Sequence, residues 1–168
     1  MQDIYNKVCL ERTIQISIKE VGSNLDAILL IYLTNQFEGK CNVEGYFKKG
    51  SITILSYSSG EICNGSNIKF VVVFEAEVCL PVEGVVFPMT VLNITKAGIR
   101  GKIKMEMDGD DPVVIYIARD HFNNDPDFNA ITLEQTNDLY VKVIGHRYEI
   151  NDDHIYVIGE LLKGVKTM

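Results

Sequence analysis

The longest uninterrupted apolar stretch in the first third of the sequence, residues 27–33, falls far short of the ~20 residues that span a bilayer. The opening MQDIYNKVCLERT has no apolar run behind its charges, so no secretory signal and no membrane partner are expected. Cysteine is sparse. Cys9, Cys41, Cys63 and Cys79 stand far apart with no CxxC pair, which argues against a zinc site and fits reduced thiols inside a cell. Basic residues are in deficit, with 16 Lys and Arg against 23 Asp and Glu and a net charge of −7. A chain that coats nucleic acid by bulk charge is therefore not expected, because phosphate binding rests on Lys and Arg; local basic patches remain open. His121, His146 and His154 have no Cys or His at ligand spacing, and no GxSxG, HExxH or phosphate-loop motif occurs. No catalytic residue, resident metal or cofactor is expected. Linkers rich in Pro, Gly or Ser, repeats and low-complexity tracts are also missing.

What remains is globular composition: 46% hydrophobic and 23% charged over 168 residues, enough for one ordinary domain or two small ones. Thr13-Ile14-Gln15-Ile16-Ser17-Ile18 alternates strictly and predicts a half-buried strand. Ser23-Asn24-Leu25-Asp26 reads as a capping box, and Leu25, Ile28, Leu29, Tyr32 and Leu33 follow at helical spacing on one face, with Gly39 as the stop. Strand patterns then take over, at 51–55 and 68–74, separated by a long Ser/Gly/Asn loop over 56–67. Further short strands are predicted at 85–94, 98–107, 113–117, 140–145 and 154–159, a spacing typical of a small sandwich or barrel. The fold class is α+β. A unit of one helix packed on an antiparallel sheet (1–80) precedes an all-β unit (81–168), and the joint falls at Leu80-Pro81-Val82.

Three stretches invite a functional reading. In Lys96-Ala97-Gly98-Ile99-Arg100-Gly101-Lys102-Ile103-Lys104, the residues Arg100, Lys102 and Lys104 recur with period two and share one strand face. Such a row suits a phosphodiester backbone on an OB barrel. It equally suits a solvated strand that lysines protect from edge pairing, and no aromatic interleaves the charges. The loop over 56–67 offers an exposed Ile62 for a partner's pocket, or is a mobile tip. Glu106-Met107-Asp108-Gly109-Asp110-Asp111 allows a Mg²⁺-dependent enzyme built on Asp108, Asp110 and Asp111, although Asp108-Gly109 is a preferred hairpin turn and acidic turn residues are simply solvated.

Four further stretches carry a resemblance. They are Phe37-Glu38-Gly39-Lys40-Cys41; the run from Phe74 through Cys79, Pro81 and Gly84 to Val86, with Ala76, Pro81 and Gly84 in register; His121 followed by Phe128; and Val141-Lys142-Val143-Ile144-Gly145 followed by Ile155-Tyr156-Val157-Ile158-Gly159. In this order they resemble the stalk subunit of multisubunit DNA-directed RNA polymerases, the seventh subunit of eukaryotic polymerase II and its archaeal counterpart. The resemblance runs from about Leu10 to Gly164. Val157 and Glu160 stand where that family has Ala and Ser. Pro88-Met89 replaces a turn that carries Gly, predicting a bent or shortened first barrel strand. Ile99 stands where RNA-binding barrels of the ribosomal S-one type carry an aromatic.

The resemblance implies a tip domain over 1–80 that docks on the polymerase core near the clamp through Gly60, Glu61, Ile62, Asn64 and Gly65. It implies an S-one-like OB barrel over 81–168 that guides nascent single-stranded RNA through Lys96, Arg100, Lys102 and Lys104, and a second stalk subunit as heterodimer partner. The subunit would catalyse nothing. Such a protein works in the nucleus or archaeal cytoplasm, or, if its divergence and AT-rich composition mark a large DNA virus, in a cytoplasmic factory or the virion. The alternative is a free-standing OB-fold RNA-binding protein of translation or RNA turnover.

Overall fold

The computed structural model of the chain describes residues 4–105, 110–119 and 139–162. Two compact units divide it, Met1–Cys79 and Leu80–Met168. Among the described residues the chain is mostly β, with one helix and one closed five-stranded barrel.

The first unit is organised around its longest strands. β1 (Tyr5–Ser17) and β6 (Asn67–Cys79) pair antiparallel from Tyr5↔Cys79 to Ser17↔Asn67. The other edge of β6 is shared in turn by β5 (Glu61–Cys63), β4 (Thr53–Tyr57) and β3 (Gly45–Phe47), and β2 (Cys41–Asn42) lies outside β3. Strict alternation along β6 buries Phe70, Val72, Phe74, Ala76 and Val78 on one face. α1 (Leu25–Phe37) covers that face with Leu29, Leu33 and Phe37. The Phe37 ring lies 5.3 Å from Phe47 and 5.8 Å from Phe74.

Several expectations are corrected here. The first strand starts at Tyr5 rather than Thr13 because Arg12 interrupts the apolar parity: it stands opposite Val72 on the inner face. There its guanidinium pairs with Glu44 and lies 5.8 Å over the Phe37 ring, so a cation occupies a position the pattern assigns to an aliphatic residue. The capping box does not form. Asn24 is the N-cap, with a ψ of 43° that leaves its side chain without a capping hydrogen bond. The Asp26 carboxylate instead interacts with the Tyr57 hydroxyl and holds that phenol's pKa above its ordinary value. The expected loop over 56–67 is half strand, because β6 is long enough to offer further partners to the segment.

In the second unit β7 (Val86–Ile94), β8 (Gly98–Ile103), β9 (Val113–Ala118), β10 (Leu139–Arg147) and β11 (Ile155–Leu162) close a barrel in the order β10-β11-β9-β8-β7, with β10 also paired to β7. All contacts are antiparallel except β9 with β11. This topology is compatible with an OB-like fold. Phe87, Met89, Ile99, Ile115, Val143 and Val157 fill the interior.

The first barrel strand is not shortened at Pro88: β7 runs from Val86 to Ile94, and its register irregularity falls farther on, between Val91 and Asn93. The carbonyl of Pro88 accepts the Lys104 amide at 2.8 Å, just past the end of β8, so its missing N–H falls where the ladder is already ending. β8 itself ends at Ile103 rather than reaching 107.

Candidate nucleic-acid interface

β8 holds the basic row as its parity requires. Ile99, Gly101 and Ile103 are buried in the barrel while Arg100 and Lys102 turn outward; Lys96 lies exposed in the β7–β8 turn and Lys104 just beyond the strand. The Lys96 carbonyl accepts a hydrogen bond from the Arg119 guanidinium at 3.1 Å, which brings a further cation to this end of the barrel. Lys102 is partly committed, with its ammonium 3.0 Å from the Asp111 carboxylate. Edge protection does not explain the row, since β8 is paired on both sides, to β7 and β9.

Pairing across the barrel brings together residues that lie far apart in sequence. Arg100 stands opposite Tyr116 on β9, Tyr116 opposite Ile158 on β11, and Ile158 opposite Gly145 on β10. The adjacent row runs Lys102, Val114, Tyr156, Arg147. The outer face therefore has cations on β8 and β10 and aromatic rings between them. The Arg100 guanidinium lies 5.9 Å over the Tyr116 ring, a cation–π contact, and Tyr116 stacks on Tyr156 at 6.3 Å and 28°. Tyr116 and Tyr156 are 41% and 42% exposed, so both rings offer surface to a ligand.

Two hollows flank this ridge. One, of about 510 Å³, is lined by Asn93, Thr95, Gly98, Arg100, Tyr116 and Ile158. The other, of about 710 Å³, is lined by Tyr116, His146, Arg147, Tyr148, Tyr156 and Ile158. Along β8 no aromatic interleaves the charges; the rings arrive from β9 and β11. Sequence reasoning missed Tyr116, Tyr156 and Arg147. The only signal for the two rings was a tyrosine at the outward parity of each of two largely aliphatic strands; Arg147 carried none. Ile99, where an aromatic was sought, is 1% exposed and points into the barrel.

The residues assigned to a core contact gather at one hairpin of the first unit. Gly60 precedes β5, Glu61 and Ile62 lie in it, and Asn64 and Gly65 (φ 48° and 73°) form the turn into β6. Ile62 is 75% exposed. Glu61 is held by Lys69 at 2.8 Å, a hydrogen-bonded ion pair that lowers the carboxyl's pKa and raises that of the amine. Of the acidic run, Asp111 is engaged by Lys102 and Asp108 lies outside the described residues, as do His121 and Phe128. Among the described residues no three His, Cys, Asp or Glu side chains group as metal ligands, and no helix is long and apolar enough to cross a membrane. No protein-family model matches this sequence, and no curated protein matches it.

Proposed function

We propose that this chain is a non-catalytic stalk subunit of a DNA-directed RNA polymerase, whose barrel, of the ribosomal S-one type, guides emerging RNA. The observation that carries the RNA-guiding part is the outward row of Lys96, Arg100, Lys102 and Lys104 on and beside β8 of an OB-like barrel. Such a row holds a phosphodiester backbone by charge without reading sequence. The polymerase assignment draws on the ordered resemblance of the joint and the closing strands. It is supported by a chain that places a one-helix, sheet-based unit before the barrel. In this reading the β5–β6 hairpin, with Ile62 at its exposed edge, docks on the polymerase core near the clamp, and a second stalk subunit completes a heterodimer.

Affinity capture of the tagged chain from its native source, followed by mass spectrometry, tests this. Large polymerase subunits at near-stoichiometric yield are expected. Their clean absence from the correct host's preparation sinks the assignment. The aromatic rings beside Arg100 favour a second reading, a free-standing OB-fold RNA-binding protein of translation or RNA turnover, since rings and cations together equip an isolated barrel to bind. Ribosomal or RNA-decay proteins in the same capture would select it.

A further inference from the structure

Electrostatic guidance needs cations alone, yet the centre of the outer face is aromatic. The Tyr116–Tyr156 stack separates two hollows that share Tyr116 and Ile158 as their common wall. The larger hollow, about 710 Å³, lies within the ~300–1,000 Å³ range of small-molecule sites. It carries a second stacked pair, His146 on Tyr148, with ring centroids 6.0 Å apart and planes 19° apart. Its floor is opened by the irregularity in β10 between Val143 and Gly145, and Gly145 has nothing within 4 Å of the position a Cβ would take. A cation bounds the face at each end: Arg100 on β8, and Arg147 on β10 opposite Tyr156. The contact of Arg147 with Glu149, at 3.6 Å between highly exposed side chains, is of the kind that a phosphate displaces readily.

We propose that this face binds single-stranded RNA crosswise to the strands, one base stacking in each hollow against the tyrosine pair, with Arg100 and Arg147 on the flanking phosphates. The ligand class rests on the RNA-guiding reading above; the stacking mode, the second hollow and Arg147 go beyond it. Three inter-strand spacings separate β8 from β10, roughly 14 Å at about 4.8 Å each, which leaves room for a short run of nucleotides rather than a single one. A purely apolar ligand would leave the two arginines unused, and a simple polyanion would leave the rings unused. An unpaired nucleotide chain uses both, since every base has a π face and every linkage a charge.

The test is NMR of the whole chain titrated with a short oligouridine and with an abasic ribose–phosphate oligomer of equal length. Expected are ring-current shifts at Tyr116, Tyr156 and His146 with oligouridine only, and amide shifts along β8 with both. Tyr156→Ala should weaken oligouridine binding by about 5- to 150-fold with an unchanged salt slope, and Tyr156→Phe should retain it. If the abasic oligomer binds as tightly as RNA and the rings do not respond, stacking is overturned while guidance by charge stands. Ring shifts that survive Arg100→Glu with Lys102→Glu keep stacking and remove the basic row from the mechanism. Silence at both the rings and β8 overturns both.

Discussion

At the scale of single residues, two groups make specific commitments. Lys102 is shared between the outer face and Asp111. Removing the carboxylate charge should release it to a phosphate. For Asp111→Asn the expected outcome is tighter oligouridine binding and a salt slope steeper by about 0.7, the increment for one more phosphate contact on a single strand. An unchanged slope would show that Lys102 does not contact the backbone. Cys79, the last residue of β6, illustrates a buried thiol. Burial, with a smaller contribution from Cys41, pushes its pKa from the ordinary 9.0 up to about 12. Between those values the unfolded chain has lost the proton and the folded chain keeps it. The folded state is therefore penalised as pH rises, by up to about 1.4 kcal/mol per unit. Tyr32, Tyr57, Lys7 and Lys69, each with a raised pKa through a carboxylate partner, act in the same alkaline direction. Urea unfolding between pH 9 and 12 should show stability falling with pH, and Cys79→Ala should flatten part of that fall.

At the scale of elements, β8 depends on Gly101 as much as on its charges. Gly101 is buried between Arg100 and Lys102, and a Cβ there would sit 2.6 Å from the Thr90 carbonyl and 2.9 Å from the Met89 side chain on β7. Gly101→Val must push β8 away from β7, an overpacking cost of about 1–3 kcal/mol visible as a lowered melting temperature. RNA binding should fall with it, because Arg100 and Lys102 lose their common register. The parity that turns those cations outward is a local property and was legible in the sequence, as were the positions of the barrel strands and the apolar face of α1. The partners across the sheet were not legible. Tyr116 meets Ile158 only because β9 and β11 run parallel, a long-range pairing that no local pattern encodes. The early start of β1 was hidden because Arg12 breaks an alternation that the Glu44 pair makes tolerable. The strands within 56–67 were hidden by small polar residues that read as loop. Their strand character comes from the length of β6 rather than from their own propensity.

At the scale of the whole molecule, a chain of net charge −7 carries a local basic row, and the two act over different distances. In the proposed mode, contacts from Lys96, Arg100 and Lys104, joined by Arg147 at the far end of the face, would release counterions from RNA. At about −0.7 per contact, three to four contacts predict a log–log salt slope of about −2 to −3. The surplus carboxylates repel the same RNA through solvent, over a range set by the Debye length, about 10 Å at 0.1 M salt and about 30 Å at 0.01 M. Lowering the salt therefore strengthens the contacts and lengthens the repulsion together. Fluorescence anisotropy of labelled oligouridine across that range should give the slope near 0.1 M and a plot that bends over toward 0.01 M. Arg100→Glu with Lys102→Glu should make the slope shallower by at least about 0.7, the increment for the lost Arg100 contact, and weaken binding further through the added repulsion. A slope near zero in the unsubstituted chain would mean that the barrel holds no phosphates, whatever its rings do. A slope that stayed straight to the lowest salt would place the acidic surplus beyond the reach of the bound strand.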